Sequence, residues 1–356
     1  MKKIEKLRNS MKEMGLDAVI VFDELNQRYF SEFAFTDGML LITMDRAELI
    51  TDFRYYEMAI KDADKAFNIS MPENKNDFIS EIFSESLVKT VGFEGSYVSY
   101  DLYRRLCDKF TGVTFENIGD MIELIRQIKT PEEIEVMQRA QDITDLAFSH
   151  IIKNITTNMT EIEVAAELEY VMRRNGAERF AFDTISVSGD ASALPHGSPR
   201  NVKLKSGFLT MDYGAVVNGY CSDMTRTIVI GKADDEMKKL YNTVLEAQLR
   251  AQEYLREGAD CGEADKIARD IIDSVPEYKG TFGHSLGHSV GLFVHESPRL
   301  SRVGSGHKMR VGEIYTTEPG IYLFGKYGCR IEDMVAIEKD GIYNFTHSTK
   351  ELIEIL

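Results

Sequence analysis

Phe208-Leu-Thr-Met-Asp-Tyr-Gly-Ala-Val-Val-Asn-Gly-Tyr-Cys-Ser-Asp-Met-Thr-Arg-Thr227 reads as two strands joined at Asn218-Gly219. Asn-Gly is a strong signal for a two-residue hairpin loop, because both central positions of a type I′ turn need positive φ. With that loop, Val217 pairs with Tyr220 and Asp212 with Thr225. Side chains alternate along a strand, so Asp212, Gly214, Cys221, Asp223 and Thr225 fall on one face. Asp212 and Asp223 become diagonal neighbours, their Cβ atoms about 7–8 Å apart or a little less. Two carboxylates at that spacing repel unless something positive lies between them. A bulge would shift this register.

A second segment repeats the theme. Ile314-Tyr-Thr-Thr-Glu-Pro-Gly-Ile-Tyr-Leu323 sets Glu318 before a proline that enforces extended backbone. Beyond a turn, Cys329-Arg-Ile-Glu-Asp-Met-Val335 puts Arg330 and Glu332 on one face, Ile331 and Val335 on the other. Working outward, each hairpin follows a pair of helices. Thr130-Pro-Glu-Glu133 is a helix start with Thr as cap, Pro in the first turn and a capping-box Glu. It opens a helix to about residue 152. Thr160-Glu-Ile-Glu163 opens another, and Asp260-Cys-Gly-Glu263 offers the same signal in the second half, after a helix over 235–257. The order helix, helix, strands thus occurs twice, which predicts two related lobes facing a cleft. Four acids converging there form a set that hard or borderline divalent cations satisfy.

Phe282-Gly-His-Ser-Leu-Gly-His-Ser-Val-Gly-Leu-Phe-Val-His-Glu296 adds His284, His288 and His295. His284 and His288 have the spacing of a helical zinc motif. Ser285 stands where that motif needs glutamate, and Gly283, Gly287 and Gly291 oppose helix. A fourth histidine, His196, lies in the loop Leu194-Pro-His-Gly197 just ahead of the first hairpin. Cys221 and Cys329 flank the site by parity and read as small buried hydrophobes. His307 and His347 read as surface histidines.

Residues 1–125 alternate helices and strands, an α/β layer pattern: a helix over 4–14, strands at 18–22, 39–43 and 47–51, helices near 53–64, 75–88 and 99–109. The chain carries 42 Lys+Arg against 58 Asp+Glu, a net charge of −16. That balance disfavours nucleic acid and anionic lipid as partners. No run approaches the ~20 apolar residues of a membrane span. Lys12, Glu13 and Asp17 interrupt any signal-like hydrophobic region. The four cysteines form no CxxC and suit a reducing compartment, so a cytoplasmic location is expected.

Four motifs in order resemble the pita-bread metallopeptidases, which include methionine aminopeptidase, aminopeptidase P and prolidase. They are Leu194-Pro-His-Gly197, the two-aspartate hairpin with Asp223-Met-Thr-Arg-Thr227, Gly287-His-x-x-Gly-x-x-x-His-Glu296, and Glu318-Pro-Gly-Ile-Tyr322 before Arg330-Ile-Glu-Asp333. The similarity runs from about residue 126 to the end. Thr51-Asp-Phe-Arg-Tyr55 and Tyr29-Phe-Ser-Glu-Phe33 are similar to the creatinase/prolidase N-terminal domain, although glycine is usual where Glu32 stands. The resemblance implies an α/β N-terminal domain over 1–125 and an α+β pita-bread catalytic domain, with its internal pseudo-twofold repeat, over 126–356.

It also implies roles. Asp212, Asp223, His288, Glu318 and Glu332 would hold two divalent metal ions, Mn²⁺ first, with Zn²⁺, Co²⁺ or Fe²⁺ acceptable. Asp223 and Glu332 would bridge them. Glu318 would also be the general base, and His295 and His196 would hydrogen-bond substrate and intermediate. His284 would be a nearby substrate-side group. Arg330 would orient Glu332 or meet a substrate carboxylate, and Arg299 is another candidate for that contact. The reaction implied is hydrolysis before a proline in second position, as by aminopeptidase P, in a homodimer. The alternatives are a prolidase restricted to dipeptides and a pita-bread binding protein without peptidase activity.

Overall fold

A computed structural model describes residues 3–356, so the first two residues of the expected N-terminal domain lie outside it. The chain divides into two units, residues 1–126 and 127–356. No helix among the described residues is long and apolar enough to cross a membrane.

The first unit is built on one six-stranded mixed sheet. Its strands are β1 (Ala18–Val21), β2 (Met39–Thr43), β3 (Ala47–Ile50), β4 (Asn68–Ser70), β5 (Thr90–Phe93) and β6 (Thr114–Asn117). The order is β4-β3-β2-β1-β5-β6, with β1–β2 and β2–β3 antiparallel and the remaining pairs parallel. Ile20, Leu41, Val91 and Phe93 pack beneath Ile79, Ile82 and Phe83 of the helix Lys75–Glu85. The helix Glu24–Ser31 ends on Glu32, whose φ of 58° is left-handed. That conformation favours glycine, which accounts for the residue usual at this position.

The second unit repeats the order helix, helix, strands. In its first half the helices Pro131–Asn154 and Glu161–Arg174 both start in reciprocal capping boxes, at Thr130/Glu133 and Thr160/Glu163. In the second half the helices are Asp235–Tyr254 and Cys261–Asp273. Here the sequence expectation needs correcting. Asp260 caps the second helix through the Gly262 and Glu263 amides, but its own amide donates to Tyr254 OH at 3.1 Å rather than to Glu263, and no reciprocal box forms. Apolar faces of both helix pairs close on the strands. Phe148, Val164 and Leu168 meet Leu209, Met211 and Ile228, while Leu240, Val244 and Ala268 belong with Tyr315, Ile331 and Val335.

The hairpin register matches the sequence reading. Val217 pairs with Tyr220 and Asp212 with Thr225, and Asn218 and Gly219 take φ of 47° and 85°. Gly214 allows the two arms to meet, since a Cβ there would lie 1.9 Å from the Ser222 carbonyl oxygen. In the second half Ile314–Thr317 pairs with Asp333–Ile337, and Gly320–Leu323 pairs with Tyr327–Arg330. His307, expected at the surface, is only partly exposed: its Nε2 lies 3.0 Å from Oε1 of the buried Glu313. His347 is exposed.

Candidate metal centre

His288 sits in a strand, Gly287–Ser289, rather than a helix. A Cβ on Gly287 would stand 2.0 Å from the Thr316 carbonyl oxygen, so glycine lets this strand lie against Ile314–Thr317. His288 Nδ1 is 3.2 Å from the Ser289 carbonyl oxygen, the distance of an N–H donor to that acceptor. The proton therefore belongs on Nδ1, and the Nε2 lone pair faces carboxylates: Glu318 Oε1 at 3.4 Å and Asp223 Oδ2 at 3.7 Å. Ligand atoms of Asp223, His288 and Glu332 all lie within 4.8 Å of one another, and all three residues are buried.

Glu318 is placed where the chain leaves the strand Ile314–Thr317. Its amide donates to the Leu286 carbonyl at 2.7 Å, and its carboxylate accepts from Thr316 Oγ1 at 3.2 Å. Asp212 lies across the same hollow. Arg330 NH2 donates to its Oδ2 at 2.6 Å, whereas its Oδ1 is buried with no hydrogen-bond partner. Arg330 is itself buried. It also donates through Nε to Thr225 Oγ1 (3.0 Å) and through NH1 to Tyr322 OH (2.8 Å) and the Pro195 carbonyl (3.2 Å). Thr225 passes the connection on, donating to Glu332 Oε2 at 2.7 Å. Arg330 thus reaches Asp212 directly and Glu332 through one hydroxyl. Thr225 and Tyr322 carry this network, and neither had a role in the sequence reading. Alternation alone had placed Thr225 on the face of Asp212.

Electrostatically the hollow is under strain. Burial, followed by repulsion from neighbouring carboxylates, pushes the Asp223 and Glu332 carboxyls well above the usual range. Burial likewise pushes Glu318 up to about 8, against the pull of Arg330. Burial pushes His288 down to about 3, so its imidazole is neutral and free to ligate. Four acids crowded against one guanidinium and a neutral imidazole resist ionising together in a low-dielectric site, and a cation among them would relieve that cost. An orphaned carboxylate oxygen on Asp212 adds an unfilled acceptor. Oxygen-rich donors with one imidazole are what a divalent cation of Mn²⁺ or Zn²⁺ type fits.

The remaining residues sort by exposure. His295 is exposed, with its ring centroid 4.5 Å from that of His288. His196 is also exposed, next to the Pro195 carbonyl that Arg330 holds. Arg299 pairs across the strands with His288, is exposed, and makes no hydrogen bond or ion pair with any described residue. Its charge still helps depress His288 and His295 and opposes the rise of Glu318. His284 differs from these. Its Nδ1 is 2.9 Å from the Ser285 carbonyl and its Nε2 is 2.8 Å from Tyr322 OH, so both ring nitrogens are taken up by the protein.

Residues 135–339 match Metallopeptidase family M24, and residues 3–128 match the Creatinase/Prolidase N-terminal domain. The chain is 40% identical over 353 residues to an Xaa-Pro dipeptidase of Pyrococcus furiosus, covering 99% of both. It superposes on an Xaa-Pro dipeptidase from Bacillus anthracis with a TM-score of 0.94 at 40% identity, covering 99% of both chains. It superposes on an X-Pro aminopeptidase from Thermotoga maritima with a TM-score of 0.92 at 35% identity, covering 98% of this chain and 100% of that one. The second unit is a two-lobed pita-bread fold, the first is a creatinase-type α/β domain, and the chain belongs to metallopeptidase family M24.

Proposed function

We propose that this chain hydrolyses the peptide bond preceding proline, with two divalent cations held by Asp212, Asp223, His288, Glu318 and Glu332. The observation that carries the reading is the buried cluster of Asp223, His288 and Glu332, whose ligand atoms lie within 4.8 Å of one another. Cations bound there would supply a water of lowered pKa and polarise the scissile carbonyl. Glu318 takes the attacking water's proton and returns it to the departing proline nitrogen. His295 and His196, exposed at the rim, donate to the substrate carbonyl as negative charge develops there. Arg330 is buried among protein partners, so in this reading it orients Asp212 and, through Thr225, Glu332. His284 has no ring nitrogen left for substrate and serves by holding Tyr322 against Arg330.

The unpartnered Arg299 guanidinium supports a dipeptide as the preferred substrate. It stands across from His288, where the carboxylate of an Xaa-Pro dipeptide would meet it bidentately. The aminopeptidase reading is the alternative, and the Thermotoga maritima likeness favours it. Mn²⁺ as the cation and a homodimer belong to the same reading by family resemblance. Hydrolysis of Ala-Pro, Ala-Pro-Ala and a proline-free tripeptide by Mn²⁺-loaded protein separates the possibilities. Cleavage of the dipeptide, with KM raised at least tenfold by Arg299→Ala, is the expected result. Preference for Ala-Pro-Ala would establish the aminopeptidase, and cleavage of nothing would leave a binding protein.

A further inference from the structure

Behind Glu332, away from the hollow, lies a buried charge pair that the chemistry above does not use. Arg226 is 1% exposed and Asp333 is fully buried. A guanidinium has five N–H donors, and each one of Arg226 is spent on a separate acceptor. Nε donates to the Thr349 carbonyl at 3.0 Å. NH1 donates to the Thr225 carbonyl at 3.0 Å and to the Glu332 carbonyl, and NH2 donates to Asp333 Oδ1 and the Ser348 carbonyl, both at 2.8 Å. The other Asp333 oxygen accepts from Lys350 Nζ at 2.6 Å, and from Gln252 and Asn344 at 3.1 Å.

Glu332 is therefore gripped at both ends by consecutive residues of one strand. Thr225 holds its carboxylate at 2.7 Å and accepts its amide at 3.1 Å, while Arg226 holds its carbonyl. The C-terminal segment completes the arrangement, because two of the five donors end on it. That segment is anchored in turn from both halves. Asp145 accepts from the amides of His347 and Ser348 and from the Ser348 hydroxyl, and Tyr241 OH donates to the Lys350 carbonyl at 3.1 Å. A buried ion pair is a weak source of stability, since desolvation offsets most of the Coulomb gain. Five directional bonds fix geometry far better than they add free energy.

We propose that Arg226 and Asp333 are positioning residues for the bridging carboxylate Glu332, and that residues 346–350 are a working part of the site through them. This rests on the dinuclear reading, in which Glu332 is a ligand. The test titrates the cation-free parent, Arg226→Lys and Asp145→Ala with Mn²⁺. Affinity is followed by calorimetry, coupling between the cations by electron paramagnetic resonance, and folding by circular dichroism. The parent should bind two Mn²⁺ with a spin-coupled spectrum. Folded Arg226→Lys should lose at least tenfold in affinity for one of them and show an uncoupled six-line signal. Asp145→Ala, which only loosens the C-terminal segment at a partly exposed site, should lose about threefold, and it carries the test if Arg226→Lys does not fold. Parental affinity and coupling in either folded variant would overturn the proposal while leaving the dinuclear reading intact. A parent that takes up no Mn²⁺ would overturn both.

Discussion

Thr225→Val removes a hydroxyl and keeps the branched shape of the side chain. In the folded protein that hydroxyl sits between two charged groups, accepting from Arg330 Nε at 3.0 Å and donating to Glu332 Oε2 at 2.7 Å. Thr225 is fully buried, so no water replaces what is lost. The stranded Arg330 N–H costs about 1–3 kcal/mol. For a unit of this size that is a fall in melting temperature of roughly 2–6 °C. The larger consequence is for the ligands. Glu332 loses the side-chain donor that aims its carboxylate, and Arg330 loses one of the anchors that hold it on Asp212. Removing such an outer partner weakens metal binding by about 10–100-fold. Thr225→Ser keeps the hydroxyl and should recover most of that loss. Mn²⁺ titration by calorimetry, run on parent, Val and Ser proteins, reads the effect. Parental Mn²⁺ affinity in Thr225→Val would refute the chain of contacts from Arg330 to Glu332.

Other expectations follow from single residues. Glu32→Gly should raise stability by about 0.5–1 kcal/mol. Relief of left-handed strain of about 1–2 kcal/mol outweighs the entropy glycine adds to the unfolded chain, and the exposed contact to Lys3 at 3.5 Å is worth little; a melting temperature at or below the parent's would count against this. Gly214→Ala should cost about 1–3 kcal/mol or more and most of the activity. Its Cβ would press on the Ser222 carbonyl and spread Asp212 from Asp223, so a fully active variant would contradict the close approach. The buried Glu161 concerns pH. Burial pushes its carboxyl up, but bonds from Arg200 and from the Ser188 N–H and hydroxyl hold it below the usual range. A depressed pKa gives stability present above the unfolded value of about 4.3 and lost as pH falls through the folded value. Urea midpoints should therefore fall below about pH 4, and Glu161→Gln should be less stable at pH 7 with a shallower acid limb. An unchanged acid limb would remove Glu161 from the account.

What could be read from the sequence was what is local. Asn218-Gly219 dictates its turn, the turn dictates the register, and the register puts Asp212 and Asp223 on one face. Gly283, Gly287 and Gly291 rule out a helix at His288, and the strand found there needs Gly287 for its closeness to Thr316. Capping at Thr130 and Thr160 was legible because it involves residues three apart. Asp260 shows the limit of that reasoning, since it caps its helix but its amide is taken by the Tyr254 hydroxyl, a contact that the spacing to Glu263 does not record. The same limit hid Arg330's attachment to Asp212, the engagement of His284 with Tyr322, and the burial of Glu313 against His307. These are side-chain contacts across the fold, and no periodicity records them. Short elements such as Glu24–Ser31, Thr90–Phe93 and Thr114–Asn117 escaped notice because four to eight residues carry too little pattern to separate helix from strand.

Whether Asp212, Asp223, His288, Glu318 and Glu332 hold two cations that drive cleavage before proline can be read by adding Mn²⁺ stepwise to chelator-treated protein while Ala-Pro hydrolysis is followed. The account predicts no hydrolysis without metal, a rise to a plateau at two equivalents per chain, and a flat line for Asp223→Ala. Hydrolysis by the metal-free protein, or an Asp223→Ala variant that titrates like the parent, would contradict it.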